Sequence, residues 1–390
     1  MEDLANQRLV YTTRYENFSP NTITYNYLLD AWSKSRSKNT TKKVETILKK
    51  MHKLHDEGKE VRPNRFSYTI VINALAKSKE KKAADRAEKI LNKMIKLYGE
   101  SHHDMKPSTV TFNAVIDAWA RNGGMDAGKR AEAILNNFIE LASKRYDFDM
   151  RPDSTTFNSA ITAWARSGNR YAGERAEELI TRMQYYEDVY PDVVTFNALI
   201  SAYGNGRNES SISLAESVID RMEELDEEDA TYARGIVNVR PNRITYNSLI
   251  GVYGKSNVTG KAKKAEEIFH QLSSNQQREM RPNIITYSSL WKACAQTRNP
   301  KEKVEALSIA MKAFEHFKNS KDVAPNNVTY RVLIDTAFNL IKNKEEQYDF
   351  LDKVLIHCQK NGCLDKVIQN KVRKVLPVEY FMKIQRNNNN

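Results

Sequence analysis

Small polar side chains recur at one fixed place in a phrase that this sequence repeats, an apolar–Thr–aromatic–Asn run that follows a Pro. Each repeat is counted here from the second residue after its Pro. The fifth residue is then polar in seven copies: Asn26, Thr69, Asn113, Asn158, Asn197, Asn247 and Ser288. Amide groups can form hydrogen bonds with the edge of an unpaired base, whereas neutral side chains are poor ligands for phosphate. The pattern therefore predicts recognition of bases.

Two further positions of the phrase carry residue types that suit the same task. The second residue is apolar in all copies but the fourth, which has Thr155: Ile23, Phe66, Val110, Val194, Ile244, Ile285 and Val328. The thirteenth residue is basic in five copies: Lys34, Lys77, Arg121, Arg166 and Lys255. On a helix, positions 2, 5, 9 and 13 fall on one stripe. The second residues are therefore predicted to stack against bases, and the basic residues to contact phosphates.

Plainer interpretations exist for both sets of polar residues. Asn is common at helix starts and turns, so the fifth residue could be a local capping residue. The basic residues at the thirteenth position could be ordinary solvated surface. The fifth residue, however, lies inside the apolar run rather than before it. That placement favours a binding role over capping.

Composition limits the other possibilities. The chain has 390 residues, a formal net charge of +12 and an isoelectric point near 9.3, which favours a polyanionic partner. Its three cysteines predict neither a disulfide framework nor a zinc site, and no phosphate loop or nucleophile motif is found. No stretch approaches the roughly 18 apolar residues of a membrane span. We expect no enzyme activity, no metal, no cofactor and no membrane association.

The elements that must position these residues are paired helices. In the first stretch of each repeat the fourth, seventh, eighth and eleventh residues are apolar, as with Tyr25, Leu28, Leu29 and Trp32. At about 100° per residue they form one helical stripe. Eighteen residues after the fifth position comes a small residue, usually Ala followed by Glu, which begins a second amphipathic stretch. The sequence predicts an all-α fold of stacked helix-turn-helix repeats, because one hairpin cannot bury its apolar faces alone.

Taken together, these residues resemble the pentatricopeptide-repeat family. VVTFNALISAY, from Val193, looks like the first helix of that family, and AEELI, from Ala176, resembles its second. The resemblance covers about residues 22–366 and implies a right-handed superhelical solenoid. The repeats run 39–50 residues, longer than the 35 of the family. The predicted repeats are 22–64, 65–108, 109–153, 154–192, 193–242, 243–283 and 284–326, followed by a degenerate eighth at 327–366.

The resemblance also implies which residues read bases. In the family these are the fifth and the last residue of each repeat. Carried over, the pairs are Asn26 with Asn64, Thr69 with Ser108, Asn113 with Asp153, Asn158 with Asp192, Asn197 with Asn242, Asn247 with Asn283, and Ser288 with Asn326. The implied target is pyrimidine, purine, U, U, pyrimidine, pyrimidine, A. The eighth copy has Arg331 at the fifth position and is expected to be a cap.

The resemblance implies a monomer that binds single-stranded RNA in a mitochondrion or chloroplast, for transcript processing, stability or translation. Protein partners on the inter-repeat loops stay possible. Two other interpretations are a tetratricopeptide-like protein-binding scaffold and the RNA-binding arm of an enzyme of the protein-only RNase P type. Residues 1–21 are expected to be the end of a truncated preceding repeat, and residues 367–390 a capping helix with an Asn-rich tail.

Overall fold

The structure is a computed structural model of the 390-residue chain. It describes residues 19–35, 37–78, 80–144, 150–227, 237–320, 322–373 and 375–376. The expectations for residues 1–21 and 367–390 therefore lie largely outside the described residues. Within those ranges every regular element is helical. Contacts divide the chain into two compact units, residues 1–167 and 168–390.

The helices alternate between the first and the second helix of each repeat. In the first unit they are α1 (Thr22–Lys34), α2 (Thr40–Asp56), α3 (Arg65–Lys77), α4 (Ala83–Gly99), α5 (Thr109–Asn122), α6 (Ala127–Lys144) and α7 (Ser154–Ser167). In the second unit they are α8 (Ala172–Met183), α9 (Val193–Tyr203), α10 (Glu209–Glu227), α11 (Arg243–Lys255), α12 (Lys261–Ser273), α13 (Ile284–Ala295), α14 (Pro300–Asn319), α15 (Asn327–Leu340), α16 (Lys344–Lys360) and α17 (Lys366–Val372).

Each first helix packs on two kinds of neighbour within its unit. Where both neighbours lie in the same unit, it contacts the second helix of its own hairpin and the first helix of the next repeat, as α5 contacts both α6 and α7. The fourth and eighth residues of the first helices are buried in every repeat, for example Phe112 and Ile116. The Phe112 ring stacks on that of Phe138 from α6, with 4.3 Å between ring centroids. The apolar stripe predicted from the sequence therefore forms the core of the stack.

The small residue near the start of each second helix permits a close approach. Ala131 is fully buried, and Gly128, one turn earlier, faces the ring of Trp164 in the next repeat. A Cβ atom on Gly128 would lie 2.3 Å from Trp164 Cδ2. The Glu after the small residue also has a structural role, because Glu132 accepts a hydrogen bond of 2.9 Å from Trp164 Nε1. The same kind of bond joins an aromatic residue of one repeat to a Glu of the preceding one at three other junctions: Trp119 with Glu88, Tyr203 with Glu177, and Tyr253 with Glu216.

Two parts of the chain depart from the expected packing. Leu28, predicted to lie in the core, is exposed. That prediction was wrong for the first repeat, because α1 has a described neighbour along the stack on one side only. At the other end, Asp349 stands exposed in place of the small buried residue, and α17 packs on α15. Among the described residues, no helix is long and apolar enough to cross a membrane.

Candidate nucleic-acid interface

The last residue of each repeat begins the next first helix. Asn64 is the N-terminal cap of α3, and its Oδ1 accepts hydrogen bonds from Phe66 N at 3.1 Å and Ser67 N at 3.2 Å. The capping side chains of the later first helices include Ser108, Asp153, Asp192, Asn242, Asn283 and Asn326. The fifth residues lie inside their helices instead. The capping role that the sequence left open for them therefore belongs to the other member of each pair.

Where the capping residue is Asn or Asp, the cap uses one of the two polar atoms of its side chain. Asp153 Oδ1 accepts from Thr156 N at 2.8 Å and also lies 2.8 Å from Thr156 Oγ1. In the Asn caps it is also Oδ1 that accepts from the backbone N–H groups, because an N–H needs an acceptor and the amide nitrogen is none. Asn242, Asn283 and Asn326 therefore keep Nδ2 as a donor, whereas Asp153 keeps Oδ2 as an acceptor. The residues differ in the group that they can offer a ligand.

The structure brings several of the predicted pairs into contact. Asn113 Nδ2 donates to Asp153 Oδ1 at 3.1 Å, and Asn26 Nδ2 donates to Asn64 Oδ1 at 3.3 Å. In the second repeat Thr69 reaches Ser108 through Thr111, whose hydroxyl lies 2.9 Å from that of Thr69 and 3.0 Å from that of Ser108. Fifth and last residues thus meet between consecutive first helices of the first unit.

The other predicted pairs are arranged differently. Within the described residues no direct hydrogen bond joins Asn197 to Asn242, Asn247 to Asn283, or Ser288 to Asn326. Asn197 Oδ1 and Asn247 Oδ1 are both buried and accept no hydrogen bond. A buried acceptor without a donor costs about 1–3 kcal/mol. Asn158 and Asp192 belong to different units.

The structure places the apolar second residues on the surface. Seven of them are 53–62% exposed: Ile23, Phe66, Val110, Val194, Ile244, Ile285 and Val328. Exposed apolar side chains therefore recur in every repeat but the fourth, in a regular row rather than scattered singly. Each stands three residues before the fifth residue, so the two share one face of the helix. A row of apolar side chains beside polar ones follows from this geometry within each unit.

The five basic residues at the thirteenth position also lie at the surface. Two of them are paired with a carboxylate one turn earlier: Lys34 Nζ lies 2.6 Å from Asp30 Oδ2, and Arg121 Nε lies 2.6 Å from Asp117 Oδ2. Such exposed pairs contribute about 0–1 kcal/mol, so a phosphate can displace the carboxylate. Burial by its neighbours, and then the charge of Arg207, lower the pKa of Lys255.

In the eighth repeat the corresponding place is filled by an ion pair. Arg331 occupies the fifth position and bonds Asp365, which caps α17 through a 2.8 Å bond from Ile368 N. Asn327 Nδ2 also donates to Asp365 Oδ2, at 2.8 Å. Both carboxylate oxygens of Asp365 are therefore engaged, in contrast to those of Asp153. This repeat offers no comparable open pair.

The third residue of each repeat also contributes to this site, although the sequence did not single it out. It is Ser or Thr in every copy, and it is buried in most, as with Ser67, Thr111 and Thr156. The hydroxyl of Thr156 donates to Asn113 Oδ1 at 2.6 Å, and that of Ser67 donates to Asn26 Oδ1 at 2.6 Å. These hydroxyls orient the fifth residues of the preceding repeat. The Ser or Thr present at this position in every copy was the signal that could have revealed them.

Comparison with solved structures finds two forms of the pentatricopeptide repeat protein PPR10. One, with three Cys-to-Ser substitutions, is in complex with an 18-nt PSAJ RNA element; it is 19% identical over 95% of this chain, with a TM-score of 0.36. The other is PPR10 from maize, 18% identical over 97% of this chain, with a TM-score of 0.30. This chain spans 55% and 59% of their lengths. Comparison with curated proteins finds no match.

A comparison with family patterns gives a more extensive match. The pentatricopeptide repeat domain matches residues 8–78, 57–122, 143–207, 186–226, 236–256 and 272–340. These segments together cover well over half of the chain, and they contain each of the first helices from α1 to α9 as well as α11, α13 and α15. The chain therefore belongs to the pentatricopeptide repeat family.

Proposed function

We propose that this chain binds single-stranded RNA and reads about one base per repeat through the fifth and last residues of repeats 1–7. It would act in organellar transcript processing, stability or translation. The observation that carries the proposal is the recurring Asn or Asp cap: Oδ1 of Asp153, Asn242, Asn283 and Asn326 accepts from the next helix, and the second polar atom of each remains for a ligand. In Asn64 and Asp153 the capping oxygen also accepts from the fifth residue, Asn26 or Asn113, so the second polar atom of the same group lies next to that contact.

The chemistry of the spare atom accounts for a choice between bases. An unpaired uracil presents an N–H at the position where cytosine presents a ring nitrogen acceptor. Asp153 Oδ2 can accept from the first, whereas the spare Nδ2 of Asn242 can donate to the second. The exposed Phe66 or Ile244 supplies an apolar surface against which a base stacks, worth about 1–3 kcal/mol per base. The orphaned Oδ1 atoms of Asn197 and Asn247 would gain from a donor on a bound base.

Selection from random single-stranded RNA, with sequencing of the bound fraction, tests the proposal. At about 150 mM salt non-specific phosphate contacts are already weakened. We expect a short enriched motif similar to pyrimidine, purine, U, U, pyrimidine, pyrimidine, A. Asn113→Thr should shift one base of it, from U towards a purine, since Thr69 stands at this position in the repeat expected to read a purine.

The matched control is Asn92→Thr. Asn92 is exposed on α4, so this variant has the same change in helix propensity away from the reading pairs. It should leave the motif unchanged. Retention of RNA without any enriched motif would refute base reading. No retention at all would refute RNA binding and favour the protein-binding scaffold.

A further inference from the structure

A cavity of about 630 Å³ in the second unit is lined by five cationic side chains and no carboxylate. The cations are Arg207, Lys255, Lys261, Arg298 and Lys303. They come from the turns that follow α9 and α13, from the end of α11, and from the beginnings of α12 and α14. Of these, only Lys255 belongs to the row of basic residues that the sequence predicted. Such a concentration of positive charge needs an explanation.

Two of the five cations are held in place by the backbone. Lys261 is only 4% exposed, and its Nζ donates to the carbonyl oxygen of Ser256 at 2.9 Å. Lys303 Nζ donates to the carbonyl oxygen of Asn339 at 3.2 Å. Each ammonium has three N–H donors, so both retain donors beyond these bonds. Carbonyl groups at helix ends fix these two lysines, but they do not neutralise them.

The other three cations have no ion-pair partner among the described residues. Arg207, Arg298 and Lys255 are exposed, and their side chains form no hydrogen bond with the described residues. Burial, followed by the charge of Arg298, lowers the pKa of Lys261. The charge of Glu302 acts on Lys261 in the opposite sense, raising its pKa, but this carboxylate forms no ion pair with it and accepts from Gly260 N at 3.1 Å and Asn299 Nδ2 at 2.9 Å. The cluster is therefore under mutual repulsion that an anion would relieve.

We propose that this cavity binds a phosphate group that carries two negative charges. A backbone phosphodiester carries one charge and needs one cation, as in the row at position 13. Five uncompensated cations around one concavity match a phosphomonoester better, and guanidinium groups such as those of Arg207 and Arg298 bond two phosphate oxygens at once. The source is either the terminal phosphate of an RNA, which rests on the proposed function, or a free phosphate compound.

The first experiment leaves RNA aside. Calorimetric titration of the full chain with inorganic phosphate and with pyrophosphate should show binding at low salt. The double variant Arg207→Gln, Arg298→Gln should weaken it at least about tenfold, the effect of losing a hydrogen bond to a charged group. Lys49→Gln, Lys89→Gln is the control, because both lysines are exposed on second helices of the other unit and the loss of charge is equal.

The second experiment distinguishes the sources. RNAs of one selected sequence are compared with a 5′-phosphate, a 3′-phosphate and two hydroxyl ends. Preference of about tenfold for one phosphorylated end, lost in the double variant while the hydroxyl-ended RNA binds as before, identifies the RNA end. Binding of free phosphate without any end preference identifies a free compound. If neither free phosphate binding nor an end preference is observed, the proposal is overturned. If no RNA binds but free phosphate does, the proposed function is refuted and the phosphate site stands.

Discussion

Replacing Asp153 by Asn separates the two roles that one side chain has in this structure. Oδ1 caps α7 and contacts Asn113, and Oδ2 remains as an acceptor. Asn keeps an oxygen for the cap and is as good a cap as Asp. The substitution therefore exchanges only the outward group, from an acceptor to a donor. We expect it to alter base preference and leave the stability of the fold within about 0.5 kcal/mol.

The magnitude follows from the bond that changes. A hydrogen bond to a charged group contributes about 1.5–3 kcal/mol, which corresponds to roughly ten- to a hundredfold in affinity. The wild-type chain should prefer the RNA with U at the base facing Asp153 over the same RNA with C. Asp153→Asn should reduce or invert that ratio by this factor. The ratios at the other bases should stay as they are, because the other pairs are unaltered.

Fluorescence anisotropy with the two RNAs measures the ratio, and a denaturation curve measures the cap. Asp153→Ala serves as the contrast, because it removes both atoms and should cost about 1 kcal/mol of stability. An Asp153→Asn protein with wild-type preference for U would refute reading by the spare oxygen. A loss of stability equal to that of Asp153→Ala would refute the assignment of the cap to Oδ1.

Two further predictions concern packing and charge. Gly128→Ala should destabilise the chain by about 1–3 kcal/mol through collision with Trp164, whereas Gly251→Ala, where a Cβ meets nothing within 4 Å, should stabilise it by up to about 1 kcal/mol. Thermal denaturation checks both, and a Gly128→Ala protein as stable as wild type would contradict the packing. Asp117→Asn should free Arg121 and raise RNA affinity less than about tenfold at low salt, since the pair is exposed. Filter binding over a salt series would show unchanged affinity if Arg121 contacts no phosphate.

The start of each first helix could be predicted because its signals are local. A Pro, then Asn, Asp or Ser, then Ser or Thr three residues later is a capping pattern that needs no tertiary context. The buried fourth and eighth residues follow from helical periodicity in the same way. Leu28 has the same periodicity as Val71 and Val115 but is exposed, because burial depends on neighbours along the stack. The sequence around Leu28 does not carry that information.

Other parts of the site depend on three-dimensional contacts. The choice of Oδ1 for the cap depends on the position of Thr156, and the sequence alone does not distinguish the two oxygens of Asp153. The cavity combines Arg207 with Arg298, which lie far apart in the chain, so no spacing pattern indicates it. By contrast, Asp117 and Arg121 are four residues apart on one helix, and this spacing alone indicates an ion pair. The base-reading and phosphate-binding roles stay predictions.

The hydroxyl residue at the third position has a consequence for recombining this chain. The side chain that closes one repeat caps the first helix of the next, so a cut between Asp153 and Ser154 separates a proposed base-reading residue from the helix that it caps. The first helix of a transplanted repeat is then capped by the last residue of a different repeat. Because every copy offers Ser or Thr there, as Ser67 and Thr195 do, each junction presents the same acceptor and donor. The cap itself should therefore need no redesign when repeats are exchanged, whereas packing such as that of Gly128 on Trp164 must be matched at each junction.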